Sequence, residues 1–138
     1  MSWIIFALLS AISAALVAIF GKIGVSNIDS TLATTVRAII MALFLIIVSF
    51  TLGKHQLIRT IDSKALAFII LAGISGALSW LFYFLALKLG PASGVAALDR
   101  LSVVFVLIFS VLFLAEKLTL YKLLGATLIT IGAILMIL

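Results

Sequence analysis

The sequence has no cysteine, one proline and only four acidic residues, with charged residues making up 9% of its 138 positions. Without cysteine there is no disulfide framework and no thiol or thiolate–metal chemistry. The single proline, with no low-complexity tract and no Ser/Gly-rich linker, gives no sign of a second domain. Soluble domains carry roughly 25% charged residues, so this composition excludes an ordinary water-soluble fold. Catalytic signatures are missing too: there is no nucleophile–base pair, metal-ligand cluster or phosphate-cradling glycine loop, so no enzyme, metal or cofactor reading arises.

What is present is hydrocarbon. Hydrophobic residues are 67% of the chain, and they fall into apolar runs at about 3–21, 32–52, 65–87, 92–114 and 120–138. Each run is near the ~20 residues needed to cross a bilayer as a helix. The runs are continuous, which excludes the alternation of barrel strands. The expected fold is an all-α membrane protein with five transmembrane helices in a single domain over 1–138. Residues 1–20 resemble a signal peptide but lack a basic n-region and exceed the usual 7–15-residue apolar core, so they read as a retained first helix.

The +5 net charge does not point to nucleic acid. Its basic residues sit one or two per loop, as topogenic charge does. Lys54, Arg59, Lys64, Lys117 and Lys122 fall on one side and Lys22 and Lys88 on the other. Five against two puts the N-terminus and the 53–64 loop in the cytoplasm. Counting Arg37 and Arg100 with their nearer side makes it five against four, the balance expected of a chain that inserts in both orientations. His55, alone in the loop, reads as a solvated residue, and Glu116 beside Lys117 as a membrane-edge residue.

Small residues mark packing faces. Ser10, Ala14, Ala18 and Lys22 share one face of helix 1 at i, i+4 spacing. Gly73, Gly76, Trp80, Tyr83 and Leu87 form a face of helix 3, either a packing seam ending in interfacial aromatics or the wall of a substrate cavity. Gly125 and Gly132, a heptad apart, read as a helix–helix contact seam. Asp29, Ser30 and Thr31 are N-cap candidates for helix 2.

The stretch at 90–119, GPASGVAALDRLSVVFVLIFSVLFLAEKLT, places Asp99 and Arg100 inside an apolar span. Each ionisable residue there costs about 2.5–3.5 kcal/mol at the helix centre. Arg37 and Asp99 lie roughly 9–12 Å into their spans, at similar depth and on the same side as Lys22 and Arg100. Asp99 and Ser102 share a face. Two readings stand: an ion pair of Asp99 with Arg37 or Lys22 that fixes helix register, or a hydrated substrate site. Three cations to one anion favour an anionic substrate group.

Several separated motifs carry a resemblance: LALKLGPAS at 85–93, LDRLSVV at 98–104, FLAEKLT at 113–119, Gly125 with Gly132, and FGKIG at 20–24 with IDSTLAT at 28–34. Together they resemble the EamA module of the drug/metabolite transporter superfamily, in its small single-module form. The resemblance implies a five-helix repeat that larger relatives carry twice, in inverted orientation, around a central site for metabolites or drugs. Five helices are few to enclose a solute-sized cavity, so the expected form is a multi-pass protein of the prokaryotic inner membrane that works by alternating access as a homodimer or with a second five-helix chain. The resemblance also implies lining residues on helices 1, 3 and 4, here Ser10, Trp80, Tyr83, Asp99 and Ser102. The small multidrug-resistance branch depends on an acidic residue in its first helix. Helix 1 here has none, which argues against proton-coupled cation efflux by that route. The competing expectation is a non-transporting membrane subunit whose intramembrane charges are structural ion pairs.

Overall fold

The computed structural model describes residues 2–138, and these form an all-α protein. The helices are α1 (Ser2–Val25), α2 (Ser30–Thr51), α3 (Ser63–Leu89), α4 (Ala92–Asp99), α5 (Ser102–Leu114) and α6 (Leu120–Leu135), with a 3₁₀ segment at Lys54–Thr60. Among the described residues, four segments are long and apolar enough to cross a membrane: Trp3–Val25, Ser30–Thr51, Ser63–Leu89 and Ala92–Leu114. The last takes in both α4 and α5. At 16 residues, α6 rises only about 24 Å, against a hydrocarbon core of about 30 Å. Large apolar side chains face outward along these helices, Phe6 at 70%, Phe44 at 64% and Phe113 at 79% exposure. A water-soluble chain would not expose them so continuously. Their medium is lipid, and the protein is a multi-pass membrane protein.

The chain divides into two compact units. One comprises the chain up to Lys22 together with Leu89–Leu138, the other Ile23–Lys88.

The Ile23–Lys88 unit is built on α2 and α3. Asp29 caps α2, its Oδ1 accepting the Leu32 N–H at 2.9 Å, as its position before Ser30 and Thr31 leads one to expect. Inside α2, the Thr34 and Thr35 hydroxyls donate to carbonyls one turn back, Ser30 O and Thr31 O. Their hydroxyl hydrogens are thereby satisfied within the helix itself. Two residues past the end of α2, Gly53 at φ 67° turns the chain in the left-handed region open to glycine. The 3₁₀ segment then folds His55 back onto Phe50, ring centroids 4.5 Å apart. His55 is therefore half-buried and stacked rather than solvated, because the tight segment after Gly53 leaves it no path away from the helix end. At the other end of the unit, Lys88 Nζ donates to Ile28 O at 2.8 Å and holds the α1–α2 loop.

In the other unit, Lys22 at the end of its helix donates from Nζ to Gly90 O at 2.8 Å. Ala18, one turn before it, is buried and Ala14 is half-buried. Pro91, at φ −69° and ψ 140°, opens α4 and accepts from the Val95 N–H at 3.0 Å. Gly94 is the close approach of α4 to the chain beyond α6: a Cβ there would stand 3.3 Å from Ile137 Cγ2. At Gly125 and Gly132 an added Cβ would meet nothing within 4 Å. The seam read from their spacing is thus left open by this chain. Ala115, with φ 53°, ends α5, and Thr119 caps α6 through the Lys122 N–H. Lys122 Nζ also pairs with Glu116 Oε2 at 3.1 Å, so Glu116 bonds to the start of α6 rather than standing simply beside Lys117.

Candidate functional site

Every sequence-derived site residue lies on a helix or at a helix break, and they divide between the two units. Arg37, Trp80 and Tyr83 belong to Ile23–Lys88; Ser10, Lys22, Asp99, Arg100 and Ser102 belong to the other.

Within Ile23–Lys88 the structure assembles a cation on an aromatic platform. Arg37 lies about 10 Å along α2 from its first residue, and its Cζ sits 3.6 Å from the Trp80 ring centroid. The Phe84 centroid is 5.5 Å away. Trp80 is braced by Tyr83 and Phe84 on its own helix, edge-on at 5.4 and 6.1 Å. Helical spacing explains the brace, since i, i+3 and i+4 side chains share a face. Phe84 is buried and completes this face; it is not among the lining residues expected from sequence, although its place four residues after Trp80 is the signal for it. A cation over indole is worth about 0.5–2 kcal/mol. An arginine at mid-membrane costs about 2.5–3.5 kcal/mol. The aromatic platform therefore offsets a substantial part of that cost, the more so because the site is desolvated.

In the other unit, Asp99 closes α4 and Arg100 and Leu101 separate it from α5. Expected as one uninterrupted helix, the fourth span instead changes its hydrogen-bond pattern here. The Arg100, Leu101, Val103 and Val104 N–H groups donate to Ala97 O, Leu98 O, Arg100 O and Leu101 O, at 2.9–3.1 Å. These are i→i−3 bonds, tighter and poorer than those of an α-helix. Arg100 at φ −67° and ψ −14° and Leu101 at φ −62° and ψ −17° show the same tightening. Asp99 is half-buried, whereas Arg100, Ser102 and Ser10 are exposed. Lys22 is engaged with the Gly90 carbonyl, which ties the end of α1 to the loop opening α4.

A groove of about 370 Å³ between α5 and α6 is lined by Val104, Leu107, Val111, Leu123 and Ala126 among others. Its walls are almost wholly apolar, so it suits lipid or a helix and not a polar solute. The chemistry lies with the charged residues instead. No group of three or more His, Cys, Asp or Glu able to hold a metal occurs among the described residues.

Comparison with known proteins gives the family. The model of the EamA-like transporter family matches residues 1–138. A Sinorhizobium sp. protein named "Uncharacterized transporter in cobO 3′region" is 45% identical over 135 residues, covering 98% of this chain and 96% of its own. An uncharacterized protein of Methanocaldococcus jannaschii is 35% identical over 83 residues, 60% of this chain and 61% of its own. No solved structure matches the chain.

Proposed function

The chain belongs to the EamA-like transporter family, and from that premise we propose that it moves a small polar metabolite or drug-like solute across the inner membrane of a prokaryote as an antiparallel homodimer. Membrane transport is the family's activity; the solute class, the pairing and the mechanism are our reading. Each copy contributes five crossing segments, α6 with its following turn being the fifth. Two oppositely inserted copies would form an inverted repeat, the usual basis of alternating access.

The observation that carries this reading is the interruption of the fourth span directly after Asp99. A short 3₁₀ stretch inside a helix often marks a functional hinge, and interrupted helices mark binding sites in secondary transporters. Asp99, Arg100 and Ser102 at the break, with Ser10 and Lys22, are the solute-contacting residues proposed for one unit. Arg37, Trp80 and Tyr83 are those proposed for the other. A change between i→i−3 and i→i−4 bonding at 100–104 would rotate the side chains on either side of the break and supply the moving part.

Reconstituted vesicles loaded with a mixture of labelled amino acids and organic acids test the proposal. At least one label should leave faster than from protein-free vesicles. Asp99→Asn, folded by circular dichroism, should slow it tenfold or more. Wild-type vesicles that retain every label, under a gradient of either direction, would refute transport of these solutes.

A further inference from the structure

Arg37 presents more chemistry than its stacking on Trp80 uses. Its Cζ lies 3.6 Å from the ring centroid, a separation that face-to-face stacking allows and an edge-on approach does not. The N–H donors of a guanidinium lie in its plane, five of them in a rigid fork. Stacking therefore occupies a face and leaves the edge.

Among the described residues of its own unit, Arg37 meets no carboxylate. Asp29 is spent on the Leu32 N–H and lies eight residues back, about 12 Å along α2. Asp62 is at the far end, where its carbonyl accepts from the Leu66 N–H as α3 begins.

We infer that the in-plane edge of Arg37 binds the carboxylate of a monoanionic solute, with Trp80 and Phe84 holding the guanidinium in place. The geometry of the fork matches a carboxylate's two oxygens. Charge selects the class further. One cation and one carboxylate make a neutral pair in a low-dielectric setting, whereas a dianion leaves a net charge in hydrocarbon and a cationic solute is repelled. The inference rests on the transport reading for its physiological meaning, but the binding event can be observed without flux.

The test uses the whole chain in phosphatidylcholine nanodiscs at pH 8. The sequence holds two tryptophans, so Trp3→Phe leaves Trp80 as the reporter beside the guanidinium. Benzoate should shift Trp80 emission saturably. Benzamide, its neutral isostere, and benzylammonium, its cationic counterpart, should act at least tenfold more weakly. This contrast needs no change at the site. Arg37→Gln, checked for fold by circular dichroism, should raise the apparent Kd for benzoate tenfold or more, and Arg37→Lys should fall between. Equal responses to benzoate and benzamide, or a benzoate response that survives Arg37→Gln, would overturn the carboxylate site. Saturable benzoate binding to a protein that moves no solute would keep the site and overturn the transport reading. Flux that is indifferent to Arg37→Gln, in a protein whose Trp80 shows no Arg37-dependent benzoate response, would do the reverse.

Discussion

Ala115 holds a positive φ of 53°, alone among the described non-glycine residues. The left-handed conformation costs an ordinary residue about 1–2 kcal/mol, partly because its Cβ crowds the carbonyl that follows. Ala115→Gly removes that cost, less the extra freedom glycine has when unfolded, about 0.4–1 kcal/mol. A net gain of about 0.5–1 kcal/mol is expected, read as a higher unfolding midpoint in detergent; a lower midpoint would contradict the assigned helix end. The neighbouring Glu116–Lys122 pair should contribute little. Its side chains are 44–49% exposed, and pairs of that exposure are worth under about 1 kcal/mol. Glu116→Gln should move the midpoint less than Ala115→Gly does, and in the opposite direction. Residue identity made the intramembrane charges legible, because Arg37, Asp99 and Arg100 stand out in apolar runs. The partner of Arg37 was not legible. The expected ion pair is Asp99 with either Arg37 or Lys22; within its own unit Arg37 rests on Trp80. Which way a membrane helix rotates depends on which apolar face meets protein and which meets lipid, and composition does not separate these.

At the scale of elements, helix positions were legible from apolar runs to within a few residues, since the bilayer sets their length. α1 runs four residues past its expected end, to Val25, and α6 ends at Leu135, short of 138. The interruption at Arg100–Leu101 was hidden because neither glycine nor proline stands there; both residues are good helix formers. Its i→i−3 bonds should open more readily than the ladder of α5. Hydrogen exchange should find the amides of 100–104 exchanging roughly tenfold faster than those of 107–112, a difference in opening free energy of about 1.4 kcal/mol. Equal protection would mean that the span behaves as one rigid helix. The glycines of α6 carry a second expectation. The open space at Gly125 and Gly132 leaves room for larger side chains in the chain itself. Gly125→Ile with Gly132→Ile should therefore preserve helicity and lower the dimer fraction in detergent. Loss of fold in place of loss of dimer would assign the seam to the chain's own packing.

For the whole molecule, the membrane class is written in composition alone, and the family is carried by motifs spread along the chain. Orientation is a balance of few charges. Five basic residues against two becomes five against four once Arg37 and Arg100 are counted, and a bias that small lets a chain insert either way. The proposed antiparallel pairing depends on that balance, because the five crossings proposed would put the termini on opposite faces and only opposite insertion makes two identical chains an inverted repeat. The absence of native cysteine makes the decisive measurement direct. Single cysteines beside Leu138 and, separately, in the loop at 54–64 would be exposed in intact cells to a membrane-impermeant thiol reagent. The antiparallel account requires each position to label in about half of the molecules. Full labelling at one position with none at the other would show a single orientation and contradict it.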